Sequence, residues 1–306
     1  MEQWVYLNGR YLPMAEAMVP VEDRGYQFAD GIYDVLKLAG WRPVRFRDHM
    51  KRLRESCEGI LISDIPSMAE WESILAELAE RSGLSRSLES QCILYIQVTR
   101  GVAPRNHLIP EPQPQPTICA YFKAAPHYTP EQRAYGVAVS AQPDERWLRC
   151  HIKAIGLLPV VLAKHAARKA GAFEALLVRD GIVTEAASCN VFCVKDGAVF
   201  THPEGPLILS GITRGIVLDA ARRLGIPVHE QPVPLSEFRK ADEAFLSSTT
   251  MNVMPVTVLD GVPIGTGNVG PITRAVAAEV EAIIREELEA GVDLGAGLVA
   301  SSQVGK

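Results

Sequence analysis

Long apolar stretches are missing from this 306-residue sequence: no run approaches the ~18 residues that a membrane-spanning helix needs. An excess of basic charge is missing too. Lys and Arg number 31 against 36 Asp and Glu, for a formal net charge of −5, and the basic residues are scattered along the chain. Neither a membrane nor a nucleic acid is expected as a partner on that pattern. Cysteine is sparse. The six (57, 92, 119, 150, 189 and 193) include no CxxC pair and have no zinc-like spacing with histidine, so no metal site is expected. Buried free thiols in a reducing cytoplasm account for them most simply, which makes a cytoplasmic location the expectation. The opening MEQWVYLNGRYL has an acid at its second position and reads as strand and turn, without the pattern of a secretory leader. No segment repeats.

What is present is ordinary for a globular protein, with 47% hydrophobic and 22% charged residues. The length suggests two domains. WVYLNGRYLP reads as a hairpin around Asn8-Gly9. FADGIYDVLKLAG and WRPVRF read as strands, and Asp48 is placed to cap a helix through HMKRLRESCEGI. Ser67 caps a second helix that ends at Gly83. QCILYIQVTRG and PTICAYFKA are strands separated by the proline-rich loop VAPRNHLIPEPQPQP. A linker is expected at KAAPHYTPEQRAYG, then three strands joined at Asp180-Gly181 and Asp196-Gly197, then helices at TRGIVLDAARRLG and PITRAVAAEVEAIIREELEAG. The expected organisation is α+β: a small N-terminal domain over 1–125, a larger domain over 126–290 that carries Lys153, and a weakly ordered tail over 291–306.

Several residues could carry chemistry, and each has a plainer alternative. Lys153 sits among apolar neighbours in RCHIKAIGLLP. A desolvated lysine is a usable amine nucleophile, whereas a snorkelling one is only packing. Lys37, in DVLKLAG, has similar surroundings, and composition does not rank the two. Glu185 in VTEAASCN is either a solvated edge acid or a carboxylate that holds a proton on a basic ring nitrogen. Ser210-Gly211 opens a helix whose first amides, at Ile212 and Thr213, suit an anion, although any helix start has such amides. SSTTMN (247–252) is a second group of hydroxyls and donors. Arg105 and His107, two apart in the proline-rich loop, suit a carboxylate or are incidental loop charge.

Six ordered segments at consistent spacing narrow these choices: EDRGYQFADGIYDV (22–35), YIQVTRGVAPRNH (95–107), RWLRCHIKAIGLLPVVLAK (146–164), VTEAASCNVF (183–192), GITRGIV (211–217) and DEAFLSSTT (242–250). From about residue 4 to about 285 the chain resembles the fold-type IV aminotransferases that use pyridoxal 5′-phosphate, and within them the bacterial D-amino acid aminotransferases. The resemblance implies that Lys153 forms the Schiff base and that Glu185 faces the pyridine nitrogen. It implies that Arg52, Ile212, Thr213, Ser248 and Thr249 hold the phosphate. Tyr33, Arg105 and His107 would trap the substrate carboxylate, the last two reaching the site from the partner subunit of a homodimer. Arg146 would belong to the network near Tyr33 and Glu185, and Ser188 would support the cofactor contacts.

The reaction implied is transamination between a D-amino acid such as D-alanine and a 2-oxo acid such as 2-oxoglutarate. The alternatives on this scaffold are a branched-chain L-amino acid or (R)-amine aminotransferase, and an aminodeoxychorismate lyase. The Arg105-x-His107 pair favours the D-amino acid reading. A binding protein that kept the fold without the chemistry is disfavoured by the presence of both Lys153 and Glu185. The sequence departs from the family pattern at His151, Ala187, Cys189 and Met251-Asn252. Those changes bear on the expected substrate range, not on the cofactor.

Overall fold

A computed structural model describes residues 3–296, and its contacts divide these into two compact units. The first takes in residues 3–125, 152–156 and 286–296; the second is Pro126–His151 with Leu157–Arg285.

The first unit is built on a six-stranded, wholly antiparallel sheet. Its elements are β1 (Trp4–Leu7), β2 (Arg10–Pro13), α1 (Arg24–Phe28), β3 (Gly31–Ala39), β4 (Arg42–Pro43), α2 (Phe46–Gly59), α3 (Met68–Arg81), β5 (Gln91–Thr99) and β6 (Thr117–Ala124). The strand order is β2-β1-β6-β5-β3-β4. Asn8 and Gly9 take left-handed φ values of 47° and 82°, which matches the right-handed twist of the expected hairpin. Ser67 and Glu70 form the reciprocal capping box that starts α3. The strand expected at WRPVRF is shorter than its pattern suggests. Only Arg42–Pro43 pairs, because Arg45 turns left-handed (φ 51°) and starts α2 at Phe46. Asp48 therefore lies inside the first turn of α2, where an acid complements the helix dipole, and not at the cap. Leu36, Leu38, Leu94 and Ile96 of the sheet are buried with Trp71, Leu75 and Leu78 of α3.

The second unit carries a ten-stranded mixed sheet. Its elements are α4 (Pro130–Tyr135), β7 (Val137–Pro143), α5 (Leu158–Lys169), β8 (Glu174–Arg179), β9 (Ile182–Ala186), β10 (Asn190–Lys195), β11 (Ala198–Thr201) and α6 (Ile212–Arg223). They are followed by β12 (Val228–Glu230), β13 (Val233–Pro234), α7 (Leu235–Phe238), β14 (Glu243–Ser248), β15 (Asn252–Leu259), β16 (Val262–Pro263) and α8 (Pro271–Ala290), whose residues from 286 onward count with the first unit. The order is β12-β11-β10-β14-β15-β7-β8-β9-β13, with β16 on β15. Where the sequence suggests three strands there are four. The turns at Asp180-Gly181 and Asp196-Gly197 form as expected, and a further break falls at 187–189, closed by the Ala186 N–H to the Cys189 carbonyl at 2.8 Å. Within the expected linker, Thr129 and Gln132 box the short helix α4.

Lys153 is expected with the second domain, but Ile152–Gly156 clusters with the first unit. The reason is backbone pairing: Ile32 and Ala154 form an antiparallel bridge, and the Ile155 N–H donates to the Gly31 carbonyl at 3.1 Å. The tail expected over 291–306 is packed at its start, where Leu294 is buried and its N–H donates to the Trp41 carbonyl. The remainder of that tail, 297–306, lies outside the described residues.

Candidate active site

In the first unit, β3 presents Tyr33 and Asp34 to opposite faces. Lys153 is fixed beside Tyr33 through its backbone. Its carbonyl accepts the Tyr33 N–H at 3.0 Å and its N–H donates to the Ser56 Oγ at 3.2 Å. The Lys153 Nζ lies 4.4 Å from the Tyr33 ring centroid, and among the described residues it makes no hydrogen bond or ion pair. Lys37 is on the same strand as Tyr33, four residues on, which removes it by ~13 Å from that position.

Arg52 comes from α2 and is held as a fork. Its Nε reaches Asp34 Oδ2 at 2.9 Å and its Nη2 reaches Oδ1 at 2.8 Å. The His49 Nδ1 meets the same Oδ1 at 2.8 Å. Burial opposes the Asp34 charge, but Arg52 and His49 outweigh it and hold this carboxyl well below the usual carboxylate range. Burial pushes the His49 imidazole down; Asp34 opposes that shift, while Arg52 and Lys153 add to it. Asp34 and His49 escaped the sequence reading. The available signal was an acid inside the apolar strand IYDVLKLA, since a buried charge requires a partner.

Arg105 and His107 lie exposed in the loop after β5. They share one neighbour, Phe28: the Arg105 guanidinium carbon is 4.8 Å from its ring centroid, and the two ring centroids of His107 and Phe28 are 5.5 Å apart. Among the described residues no hydrogen bond or ring contact joins either of them to Tyr33 or Lys153.

In the second unit, Glu185 of β9 is buried. It accepts from Arg146 Nη1, from Asn190 Nδ2 at 3.1 Å and from the Leu209 N–H at 3.2 Å. Arg146 is itself gripped by Asp144, Nε to Oδ1 and Nη2 to Oδ2 both at 2.9 Å. Thr184 Oγ1 and Arg179 also bind Asp144. Burial works against the Asp144 charge, but Arg146, Thr184 and Arg179 outweigh it and bring its pKa down to about 2. Burial also opposes the Arg146 charge, which Asp144 and Glu185 outweigh, raising its pKa. Two carboxylates and two guanidiniums thus balance, and Glu185 is oriented by fixed donors.

Ile212 and Thr213 open α6 behind Gly211, whose backbone supplies no side-chain cap. The first amides of such a helix have no partner within it. A side chain at 211 would run into the Asn190 carboxamide oxygen, so glycine leaves the helix start open and Asn190 in place. Ser248 ends β14, and its Oγ is 3.4 Å from the Thr250 Oγ1; Thr249 lies in the following turn.

Three further positions have partners of their own. Ser188 is exposed and donates to Glu174 Oε2 at 2.6 Å, beside Lys164, so its hydroxyl is committed to that cluster and not to Glu185. Met251 is packed in the second unit's core. Asn252 takes a left-handed φ of 57° and donates to Glu281 at 2.7 Å, a role that suits asparagine. Of the other departures, Ala187 is buried, the Cys189 thiol faces Glu174, and His151 is exposed in a turn.

Residues 31–259 match the family described as amino-transferase class IV. The chain belongs to the class IV aminotransferases. The D-alanine aminotransferase of Bacillus licheniformis is 41% identical to it over 284 residues, which span 92% of this chain and 98% of that protein. Among solved structures, the branched-chain amino acid aminotransferase of Escherichia coli superposes with a TM-score of 0.85 at 24% identity, covering 95% of this chain and 97% of that one, and so shares the fold. The branched-chain amino acid aminotransferase of T.th., solved with pyridoxamine 5′-phosphate, gives 0.83 at 25% identity over 94% and 96%.

Class IV aminotransferases work with pyridoxal 5′-phosphate, and the residues present fit that group. A helix start without a side-chain cap suits a phosphate dianion. A buried, donor-fixed carboxylate suits a protonated ring nitrogen, and an amine without a hydrogen-bond partner among the described residues suits a carbonyl electrophile.

Proposed function

We propose that this aminotransferase exchanges the amino group of a D-amino acid, such as D-alanine, with a 2-oxo acid, such as 2-oxoglutarate. The observation that carries the reading is Lys153: its backbone is locked to Tyr33 and Ser56 while its amine stays without a hydrogen-bond partner among the described residues. The 41% identity to a D-alanine aminotransferase over nearly the whole chain supports the choice of substrate class. When bound, the cofactor supplies the carbonyl that takes the amino group and the ring that accepts the electrons released at the α-carbon.

The chain's own residues do the rest. The Lys153 amine would hold the cofactor and, once displaced from it, carry the proton from the substrate α-carbon to the carbon that has taken the amino group. Glu185, oriented by Arg146 and Asn190, keeps a proton on the ring nitrogen. Arg52, the amides of Ile212 and Thr213, and the hydroxyls of Ser248 and Thr249 bind the phosphate. Tyr33 with Arg105 and His107 binds the substrate carboxylate, the latter two acting on the site of a second copy in a homodimer. A cytoplasmic location belongs to the same reading. No helix of the described residues is long and apolar enough to cross a membrane.

Mixing the holoenzyme separately with D-alanine, L-alanine and L-leucine, without an oxo acid, tests the assignment. The cofactor's visible absorption is expected to change rapidly with D-alanine alone. Conversion by L-leucine alone would instead place the chain with the branched-chain enzymes, whose structures it resembles.

A further inference from the structure

The loop that carries Arg105 and His107 is fixed from three directions. Arg24, 4% exposed, sends Nη1 to the Asn106 carbonyl at 2.6 Å, pinning the residue that lies between the two. Arg24 is held in turn by Asp30, Nε to Oδ2 at 2.8 Å, and Asp30 also receives Arg100 through Nε at 2.7 Å and Nη2 at 2.9 Å. On the loop itself, the Asn106 side chain accepts the Leu108 N–H at 3.1 Å, an Asx turn that sets the local backbone. The third contact is Phe28, the last residue of α1. Its half-buried ring lies under the guanidiniums of both Arg24 and Arg105, each 4.8 Å from the centroid, and 5.5 Å from the His107 ring.

We propose that Phe28 is a positioning residue that presets Arg105 and His107 to receive a carboxylate. This rests on the reading that those two residues bind the substrate carboxylate. An arginine on a solvated loop has large rotamer freedom to lose on binding, and a guanidinium already laid on an aromatic face has less to lose. His107 is two residues on and touches the same ring, so one side chain orients both donors. The ring acts through its quadrupole as well as its bulk, because a cation over a phenyl face is attracted electrostatically. An aliphatic side chain of similar volume would fill the space without that attraction.

Steady-state kinetics of Phe28→Leu, Phe28→Tyr, Arg105→Ala and the Phe28→Leu/Arg105→Ala double variant separate the possibilities. Phe28→Leu is expected to raise KM for both the amino acid and the oxo acid by about three- to tenfold, with kcat within about twofold. Phe28→Tyr keeps the ring and is expected to stay near the parent. In the Arg105→Ala background, Phe28→Leu should add little, since its main client is gone. If Arg105→Ala raises KM while Phe28→Leu leaves it unchanged, the positioning role is overturned and the carboxylate reading stands. An unchanged KM in Arg105→Ala overturns the carboxylate reading, and this proposal with it. A fall in kcat and melting temperature in Phe28→Leu without a KM change would make Phe28 a packing residue only. Should Phe28→Leu not fold, Phe28→Met is read in its place.

Discussion

Tyr33 and Lys153 are joined twice: the Tyr33 N–H donates to the Lys153 carbonyl at 3.0 Å, and the lysine amine returns to lie 4.4 Å from the tyrosine ring centroid. The backbone bond sets the base of the side chain and the ring limits where its tip can go. Residues 120 apart in sequence are thereby held as one device. Lys153→Ala is expected to reduce transamination to background and to remove the absorption of the bound cofactor. Lys153→Arg should fail equally, since a guanidinium stays charged and is no nucleophile. Full turnover in either variant would refute the lysine's role.

Glu185→Gln removes the charge but keeps the shape that Arg146, Asn190 and the Leu209 amide surround. The expected result is a fall in kcat of about a hundredfold, on the scale of a positioned proton's contribution. Loss of α-deuterium discrimination or an unchanged kcat in this variant would remove Glu185 from the proton-holding role.

Asp144 makes the stability of the fold depend on pH. Its folded pKa of about 2 lies below the ordinary 3.8. The stabilisation it brings is therefore complete above about pH 4 and disappears as pH falls toward 2, where the folded state also takes up the proton. Its size is about 2 kcal/mol. Urea unfolding of the parent and of Asp144→Asn should differ most near neutral pH and converge as the pH falls from about 4 toward 2. A gap that is constant across this range would mean the ionised form contributes nothing.

Gly211→Ala is expected to weaken cofactor binding by about ten- to a hundredfold while leaving secondary structure intact. The new methyl meets the Asn190 carboxamide, which must swing away from Glu185 and from the Leu209 carbonyl. A good hydrogen bond lost at a charged acceptor is worth ~1.5–3 kcal/mol, which sets that scale. Titrating the apo form with the cofactor measures the effect directly. Parent-like affinity would show that the helix start tolerates a side chain.

Much of the fold is legible where the signal is local. The capping box at Ser67 and Glu70, the turn at Asn8-Gly9 and the turns at Asp180-Gly181 and Asp196-Gly197 are each decided within four residues, so the sequence displays them whole. The start of α2 is misread from sequence because Asp48 is an equally good cap by type. What moves the boundary to Phe46 is the left-handed Arg45, and a residue other than glycine gives little notice of a positive φ.

Residue types and their order are what the chain carries before it folds: one lysine in RCHIKAIG, one acid in VTEAAS, an uncapped helix start after Gly211 and six motifs in register with a known family. Which groups pair is settled only in three dimensions. Folding gives Asp34 to Arg52 and His49, chains Glu185 to Asp144 through Arg146, turns Ser188 toward Glu174 and places Ile152–Gly156 against β3. The reason is that a buried charge must find its partner wherever the folded chain brings one within hydrogen-bond reach. The pairs Asp34–His49, Asp34–Arg52 and Arg146–Glu185 lie 15, 18 and 39 residues apart, beyond the range of any turn, cap or periodicity.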